Sequence, residues 1–134
     1  MGSSIEKTQF DKFFKAKSVA VIGASSKPGK IGYEVLRNLT CFEYKGKVFP
    51  VNPARNEILG LKCYPSVLDI PEKIDLAVLV IPAEYTPKVV EECGKKGIKN
   101  IVIISGGFKE LGEHGKELEE KTAEIARKYG IRII

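Results

Sequence analysis

Three uninterrupted apolar runs constrain this chain more than any other feature. Val19-Ala-Val-Ile22, Leu76-Ala-Val-Leu-Val-Ile81 and Ile101-Val-Ile-Ile104 show no alternation of polar and apolar residues. A strand with one face in water alternates; a strand covered on both faces does not, and such strands belong to parallel sheets. Helical periodicity fills the stretches between them. Ile31, Val35, Leu36 and Leu39 recur at helical spacing, so a helix is expected over Gly29 to Leu39. Thr86-Pro87 opens another, with Pro at the first helical position, and Gly97 stops it. Leu118, Thr122, Ile125, Ala126 and Tyr129 line one face of a last helix that ends at Gly130. Strands separated by helices in this way predict an α/β chain: a Rossmann-like, doubly wound, mainly parallel sheet with helices on both faces.

Smaller elements complete the pattern. A first helix is expected over Thr8 to Lys15, capped by Thr8 with Asp11 three residues on, and with Phe10, Phe13 and Phe14 as its apolar face. Lys47 to Asn52 reads as a strand whose Pro50 needs a place where one backbone N–H is not used. Leu61 to Tyr64 reads as a short strand, Ser66 to Ile70 as a brief helical segment, Gly112 to Gly115 as a hairpin-like turn and Ile131 to Ile134 as a final strand. The 134 residues suit a single domain over 1–134. A chain of this size buries roughly 65–70% of its unfolded surface and needs no disulfide or metal to hold it.

Composition excludes several classes of function. The longest apolar run, Leu76 to Ala83, is far short of the ~20 residues of a membrane span. No basic segment followed by an apolar core opens the chain, and Glu6 stands where an N-myristoylation motif needs Ser or Thr. Cys41, Cys63 and Cys93 have neither zinc nor CxxC spacing and read as packing groups or idle thiols of a reducing cytoplasm. The net charge of +5 is spread among interspersed acids with no basic tract, which gives no support to nucleic-acid binding and suits a phosphorylated small ligand. Abundant Lys, Glu and Ile, with no Trp, point to a heat-loving source.

Ligands of doubly wound sheets lie beyond the carboxyl ends of the strands, near the point where strand order reverses. That directs attention to loops 23–32, 52–57, 82–87 and 105–115. The first, Gly23-Ala-Ser-Ser-Lys-Pro-Gly-Lys-Ile-Gly32, leaves a strand and opens a helix, where free N–H groups and the positive helix end meet an anion. Gly23 permits a tight exit, Ser25 and Ser26 bring hydroxyls, Lys27 and Lys30 bring charge, and Gly32 lets the helix approach the strand closely. The spacing is neither GxGxxG nor a P-loop. In the second loop, Val51-Asn52-Pro53-Ala54-Arg55 lacks the acid that an NAD ribose takes. Arg55 suits a phosphate on the adenosine ribose, at the 2′ position in NADP or the 3′ position in coenzyme A; a surface Arg on a solvated turn is the plain alternative. Ile81-Pro82-Ala83 either walls a groove or simply turns, and Ser105-Gly106-Gly107 lets backbone approach a ligand closely. His114, on a polar stretch at a helix start, is expected to be exposed rather than a general base. No zinc set or nucleophile–base pair can be assembled, and the Glu-rich helix Glu110 to Glu124 reads as a solvated face with Glu117–Lys121 and Glu124–Lys128 pairs.

Taken together, Ser18-Val-Ala-Val-Ile-Gly-Ala-Ser25, Pro28, Gly32, Val48-Phe-Pro-Val-Asn-Pro53, Gly60-Leu-Lys-Cys-Tyr64, Val80-Ile-Pro82, Ile103-Ile-Ser-Gly-Gly-Phe108 and Tyr129-Gly-Ile-Arg-Ile-Ile134 resemble the N-terminal coenzyme A-binding domain of NDP-forming acyl-CoA synthetases. Within that family the chain is most similar to the α subunit of ADP-forming acetate–CoA ligase, and the resemblance runs from about Phe10 to Ile134. It implies a coenzyme A site. Gly23, Ala24, Ser25, Lys27, Lys30, Ile31 and Gly32 would hold the phosphates, and Val51, Asn52 and Pro53 would border the adenosine. Arg55 would meet the 3′-phosphate, Tyr64 and Ser66 would flank the nucleotide, Ile81, Pro82 and Ala83 would line the pantetheine, and Ser105, Gly106 and Gly107 would lie toward the thiol. It further implies coenzyme A or acyl-CoA as ligand, a β (ATP-grasp) subunit or remaining ligase domains as partners, and interconversion of acyl-CoA, ADP and phosphate with acid, coenzyme A and ATP. The family's Gly-Pro-Asn-Cys-like segment and phosphohistidine domain follow the last strand, beyond Ile134, and His114 does not match that histidine. This chain alone is therefore expected to bind coenzyme A without completing the cycle. A stand-alone coenzyme A-binding or sensing module and an NADP-binding reductase fragment are the competing readings.

Overall fold

The computed structural model describes residues 15–41, 44–104 and 108–134. In chain order the elements are β1 (Ser18–Ile22), α1 (Ile31–Cys41), β2 (Lys47–Val51), β3 (Glu57–Ile58), β4 (Leu61–Lys62), β5 (Leu76–Leu79), α2 (Thr86–Lys96), β6 (Asn100–Ile103), α3 (Glu113–Tyr129) and β7 (Arg132–Ile133). Five strands form one sheet in the order β2-β1-β5-β6-β7, every pair parallel. β3 and β4 form a separate antiparallel hairpin. The doubly wound, mainly parallel sheet expected from the apolar runs is the one observed.

The strand pleat sorts the core into two layers. Ala20, Ile22, Ala77, Leu79 and Ile101 face Val90 and Cys93 of α2 and Ala126 of α3. Val19, Val21, Leu76 and Val78 face Leu36 and Leu39 of α1. Each β1 and β5 residue is buried, which is why these strands carry no polar alternation. β6 departs from that expectation: Val102 and Ile103 are only partly buried. Its outer neighbour β7 is exposed, two residues long, and pairs only with Asn100 and Ile101.

Local chemistry sets the element ends. α1 starts two residues later than periodicity implied, because Gly29 takes φ +93° and the Lys30 N–H closes a turn on the Lys27 carbonyl at 3.2 Å. Gly97, at φ +91°, caps α2 with its N–H on the carbonyls of Cys93 and Gly94. Pro50 sits on β2, an edge strand. The expected strand over Leu61 to Tyr64 is shorter. Leu61–Lys62 pairs with Glu57–Ile58 across Leu59 (φ 52°) and Gly60 (φ 78°), two positive φ angles typical of a tight hairpin. Gly112 to Gly115 is not a hairpin turn but the entry and first turn of α3, with Lys116 N–H on Gly112 O at 3.1 Å. Gly115 is needed there because a Cβ would lie 1.7 Å from the Phe108 carbonyl oxygen. The expected i,i+4 pairs on α3 give way to others: Lys128 stands 3.9 Å from Glu91 of α2, and His114 3.9 Å from Glu117. Exposed ion pairs contribute so little that such exchanges are nearly free. The helix expected over Thr8 to Lys15 lies outside the described residues but for Lys15.

Two predictions follow from the α2–α3 contact. A Cβ on Gly94 would fall 2.3 Å from Cδ2 and 2.4 Å from Cγ of Tyr129. In an open helix Gly→Ala gains about 1 kcal/mol, whereas displacing a packed ring costs about 1–3 kcal/mol. Gly94→Ala should therefore lower unfolding free energy by about 1 kcal/mol in a denaturant titration; a gain would show that the ring swings aside freely. Cys93 is fully buried, and its thiol is pushed from 9.0 up to about 12, first by burial and then by Glu92. The folded state thus prefers the protonated thiol, a preference fully present below pH 9 and lost as pH climbs toward 12. Over that window the wild type should lose stability more steeply than Cys93→Ala, and parallel slopes would count against it.

Candidate functional site

Strand order reverses between β1 and β5, because the chain leaves β1 toward β2 and later returns to β1's other side. Crossovers departing in opposite directions leave a crevice above the carboxyl ends of those two strands. Two glycines bring backbone into close contact there. Gly23 has φ +94°, and a Cβ on it would lie 1.9 Å from the Val80 carbonyl oxygen and 3.1 Å from Cγ2 of Ile81. A Cβ on Gly32 would lie 2.1 Å from the Gly23 carbonyl oxygen. The first turn of α1 is thereby stacked on the exit of β1, and the exit of β1 on that of β5.

Hydrogen bonds tie the β2 exit to the same point. The N–H groups of Gly23 and Ala24 both donate to the Val51 carbonyl, at 3.1 and 3.3 Å. Asn52 Nδ2 donates to Ala24 O at 2.9 Å, and its Oδ1 accepts from Ala54 N at 2.8 Å. Asn52 N–H donates to Tyr64 O at 2.9 Å, and Tyr64 N–H to Pro50 O at 3.0 Å, so Tyr64 extends the sheet edge beside Val51. Its half-buried ring lies 6.2 Å from that of Phe49, with Lys62 Nζ 5.2 Å above it. The Cys63 thiol donates to Asn52 O at 3.6 Å, and burial pushes its pKa up, which marks it as a packing group.

The rest of the first loop is open. Ser25 Oγ accepts from Lys27 N–H at 3.1 Å. Lys27 and Lys30 are exposed, and among the described residues neither has a carboxylate partner. These cations and the positive end of α1 favour an anion. Glu34, in the first turn of α1, accepts from Gly29 N–H at 3.3 Å and lies 3.8 Å from Arg37. Sequence reasoning missed this acid; its signal was a Glu five residues after a loop glycine, at the dipole end that prefers it. Arg55 is exposed on the turn its own N–H closes onto Asn52 O at 3.4 Å, again with no carboxylate partner among the described residues. No acid lies between Val51 and Asn56, and Asn52, nearest the place of a ribose-binding carboxylate, is already engaged.

Ile81 is half-buried against Gly23, Pro82 is exposed and Ala83 is buried. The Tyr85 N–H bonds Pro82 O at 3.0 Å, and Thr86 then starts α2 fully buried. The structure therefore brings Gly23 to Gly32, Val51 to Arg55, Tyr64 and Ile81 to Ala83 to one end of the sheet. Ser66 already has its hydroxyl engaged within the protein. Its hydroxyl accepts from Leu68 N–H at 3.1 Å as a cap and donates to Glu92 of α2 at 2.9 Å. Ser105, Gly106 and Gly107 lie outside the described residues. His114 is exposed, as expected. Among the described residues no cluster of His, Cys, Asp or Glu is fit for a metal, and no helix is long and apolar enough to cross a membrane.

A cavity of about 900 Å³ opens at the opposite end of the sheet, lined by Lys15, Lys17, Lys47, Glu72, Lys73 and Asp75 among others. Its acids are engaged internally, Asp75 by the Lys17 N–H at 2.8 Å and Glu72 by Lys47 at 2.6 Å. No candidate ligand-binding residue from the sequence lines it. Volume alone therefore points away from the strand-end crevice, whereas topology, glycine contacts and free cations point to it.

Comparison with known proteins bears on the same region. The family described as a CoA binding domain matches residues 17–134. The α subunit of acetate–CoA ligase [ADP-forming] I from Pyrococcus furiosus is 54% identical over 92% of this chain, which covers 28% of that protein. The apo structure of a dinucleotide-forming acetyl-coenzyme A synthetase from Candidatus Korarchaeum cryptofilum superposes with a TM-score of 0.85 at 46% identity, over 93% of this chain and 27% of that one. A hypothetical protein from Pyrococcus horikoshii OT3 gives a TM-score of 0.75 at 33% identity, and there the match covers 99% of this chain and 84% of the other. The chain thus spans little more than a quarter of the two ligase chains. Such archaeal relatives agree with the heat-loving composition.

The stacked glycines make a stability prediction independent of any ligand. Gly23→Ala drives a Cβ into the Val80 carbonyl and should cost more than about 3 kcal/mol. Gly29→Ala, at φ +93° but with nothing within 4 Å, should cost only about 1–2 kcal/mol. Equal losses in thermal unfolding would mean that the close approach is unimportant.

Proposed function

We propose that this chain, which belongs to the CoA-binding domain family, holds the phosphates of coenzyme A in its Gly23 to Gly32 loop. The observation that carries the reading is Gly32, because only a residue without a Cβ lets α1 begin against the Gly23 carbonyl. That contact fixes the start of α1 at the strand exit, so its first N–H groups stand on the same loop as exposed Lys27 and Lys30. Ser25 and Ala24 belong to the same cradle, Ile31 stands at its rim, and Val51, Asn52 and Pro53 border the adenosine. Tyr64 flanks the nucleotide, and Ile81, Pro82 and Ala83 line the pantetheine side. Ser105, Gly106 and Gly107 complete the set toward the thiol. Ser66 flanks the nucleotide with Tyr64, its hydroxyl capping Leu68 N–H and donating to Glu92.

Arg55 discriminates among nucleotides. The missing acid after β2 argues against an NAD ribose, and an exposed guanidinium without a carboxylate partner among the described residues suits the 3′-phosphate of coenzyme A. In this reading the domain over 1–134 is the front of a larger cytoplasmic ligase that interconverts acyl-CoA, ADP and phosphate with acid, coenzyme A and ATP. Its role is to bind and orient coenzyme A, while the remaining domains or a β subunit carry the phosphorylated group. The similarity to an ADP-forming acetate–CoA ligase α subunit supports this assignment. A second reading, a stand-alone coenzyme A-binding protein, is favoured by the hypothetical protein of which this chain covers 84%. The length of the native reading frame separates the two.

Calorimetry with coenzyme A and dephospho-coenzyme A tests the site. Arg55→Ala should weaken coenzyme A by about 1–3 kcal/mol, nearer the lower figure for so exposed a side chain, and leave dephospho-coenzyme A unchanged. Equal wild-type affinity for both ligands would remove Arg55 from the phosphate.

A further inference from the structure

Among the described residues, the two most exposed large apolar side chains are Tyr85, at 58%, and Ile31, at 56%. Both stand where a helix begins at the carboxyl end of the sheet. Ile31 is the first residue of α1, and Tyr85 immediately precedes α2. α1 packs on one face of the sheet and α2 on the other, and they follow β1 and β5, the strands between which the order reverses. The two residues therefore stand on opposite faces of the sheet at the end where the crevice opens.

Their exposure is built into the backbone. Tyr85 closes a turn with its N–H on Pro82 O at 3.0 Å, and Ile31 follows the turn in which the Lys30 N–H meets Lys27 O at 3.2 Å. Exposed Lys30 and Glu84 adjoin them in sequence, so each apolar side chain stands next to a charged residue. Two isolated apolar points across a crevice suit a thin, partly apolar chain better than a protein surface, which needs contiguous area. Coenzyme A brings such a chain: the pantetheine arm, with methylenes and a gem-dimethyl carbon, leaves the pyrophosphate on its way to the thiol.

We propose that Tyr85 and Ile31 are apolar jaws that grip the pantetheine arm as it leaves the Gly23 to Gly32 loop. The inference rests on the coenzyme A reading above and adds Tyr85 to the residues that meet the ligand. The test uses calorimetry on the wild type, Tyr85→Ala, Tyr85→Phe and Ile31→Ser, each with coenzyme A and with adenosine 3′,5′-bisphosphate, which lacks the arm. Tyr85→Ala should weaken coenzyme A about five- to tenfold and leave the bisphosphate within about twofold, whereas Ile31→Ser, at the rim of the phosphate loop, should weaken coenzyme A by at least as much. Tyr85→Phe, which keeps the ring, should bind like the wild type. Unchanged coenzyme A affinity in both truncations, or equal weakening of both ligands by Tyr85→Ala, overturns the jaws while leaving the phosphate cradle standing. A wild type that binds neither ligand overturns the cradle, and the jaws with it.

Discussion

The structure hangs on a backbone contact that no side chain makes. At the carboxyl ends of β1 and β5, the Val80 carbonyl occupies the space of a Cβ on Gly23, and the Gly23 carbonyl occupies that of a Cβ on Gly32. Three segments converge there, and Val51 adds a fourth by accepting from both Gly23 and Ala24. Strand spacing, helix docking and loop shape are thus set at a single place. A crevice built this way is rigid, because moving one wall breaks contacts in the others.

Charge is divided in keeping with that frame. Asn52, Ser66 and Glu34, all half-buried, engage polar atoms with the protein's own backbone and side chains, as ties and caps. Lys27, Lys30 and Arg55 are left to solvent without carboxylate partners among the described residues. Buried polar groups need partners to repay desolvation, whereas exposed cations do not, so the latter remain available to an anion. The lysines of the opposite cavity differ in that one of them, Lys47, is already paired with Glu72.

The packing of α2 on α3 shows the same economy of space. Gly94 admits the Tyr129 ring, whose hydroxyl donates to Glu91, and Lys128 approaches the same carboxylate. The carboxylate raises the tyrosine's pKa, chiefly through that hydrogen bond. Beneath it Cys93 is a small apolar filler held protonated by burial.

Much of this was legible beforehand in particular residues. The unbroken Val19 to Ile22 and Leu76 to Leu79 runs announced buried parallel strands, and Pro87 and Gly97 marked the ends of α2. Gly23, Gly32, Lys27, Lys30 and Arg55 could be singled out because glycine and cation placement after a strand is local information. The β3–β4 hairpin, the late start of α1 and the helical state of Gly112 to Gly115 could not, since each turns on backbone angles and close turn contacts that residue type alone does not fix. Nor could the commitment of Ser66 to Glu92, or the bonds that make Asn52 a tie between loops. Apolar runs, periodicities and chain breakers act within a few residues, so the sequence by itself determined the type and order of the main strands and helices. Which loops meet, and which polar groups are used up in meeting, was decided only by the tertiary structure, because those contacts join residues dozens of positions apart.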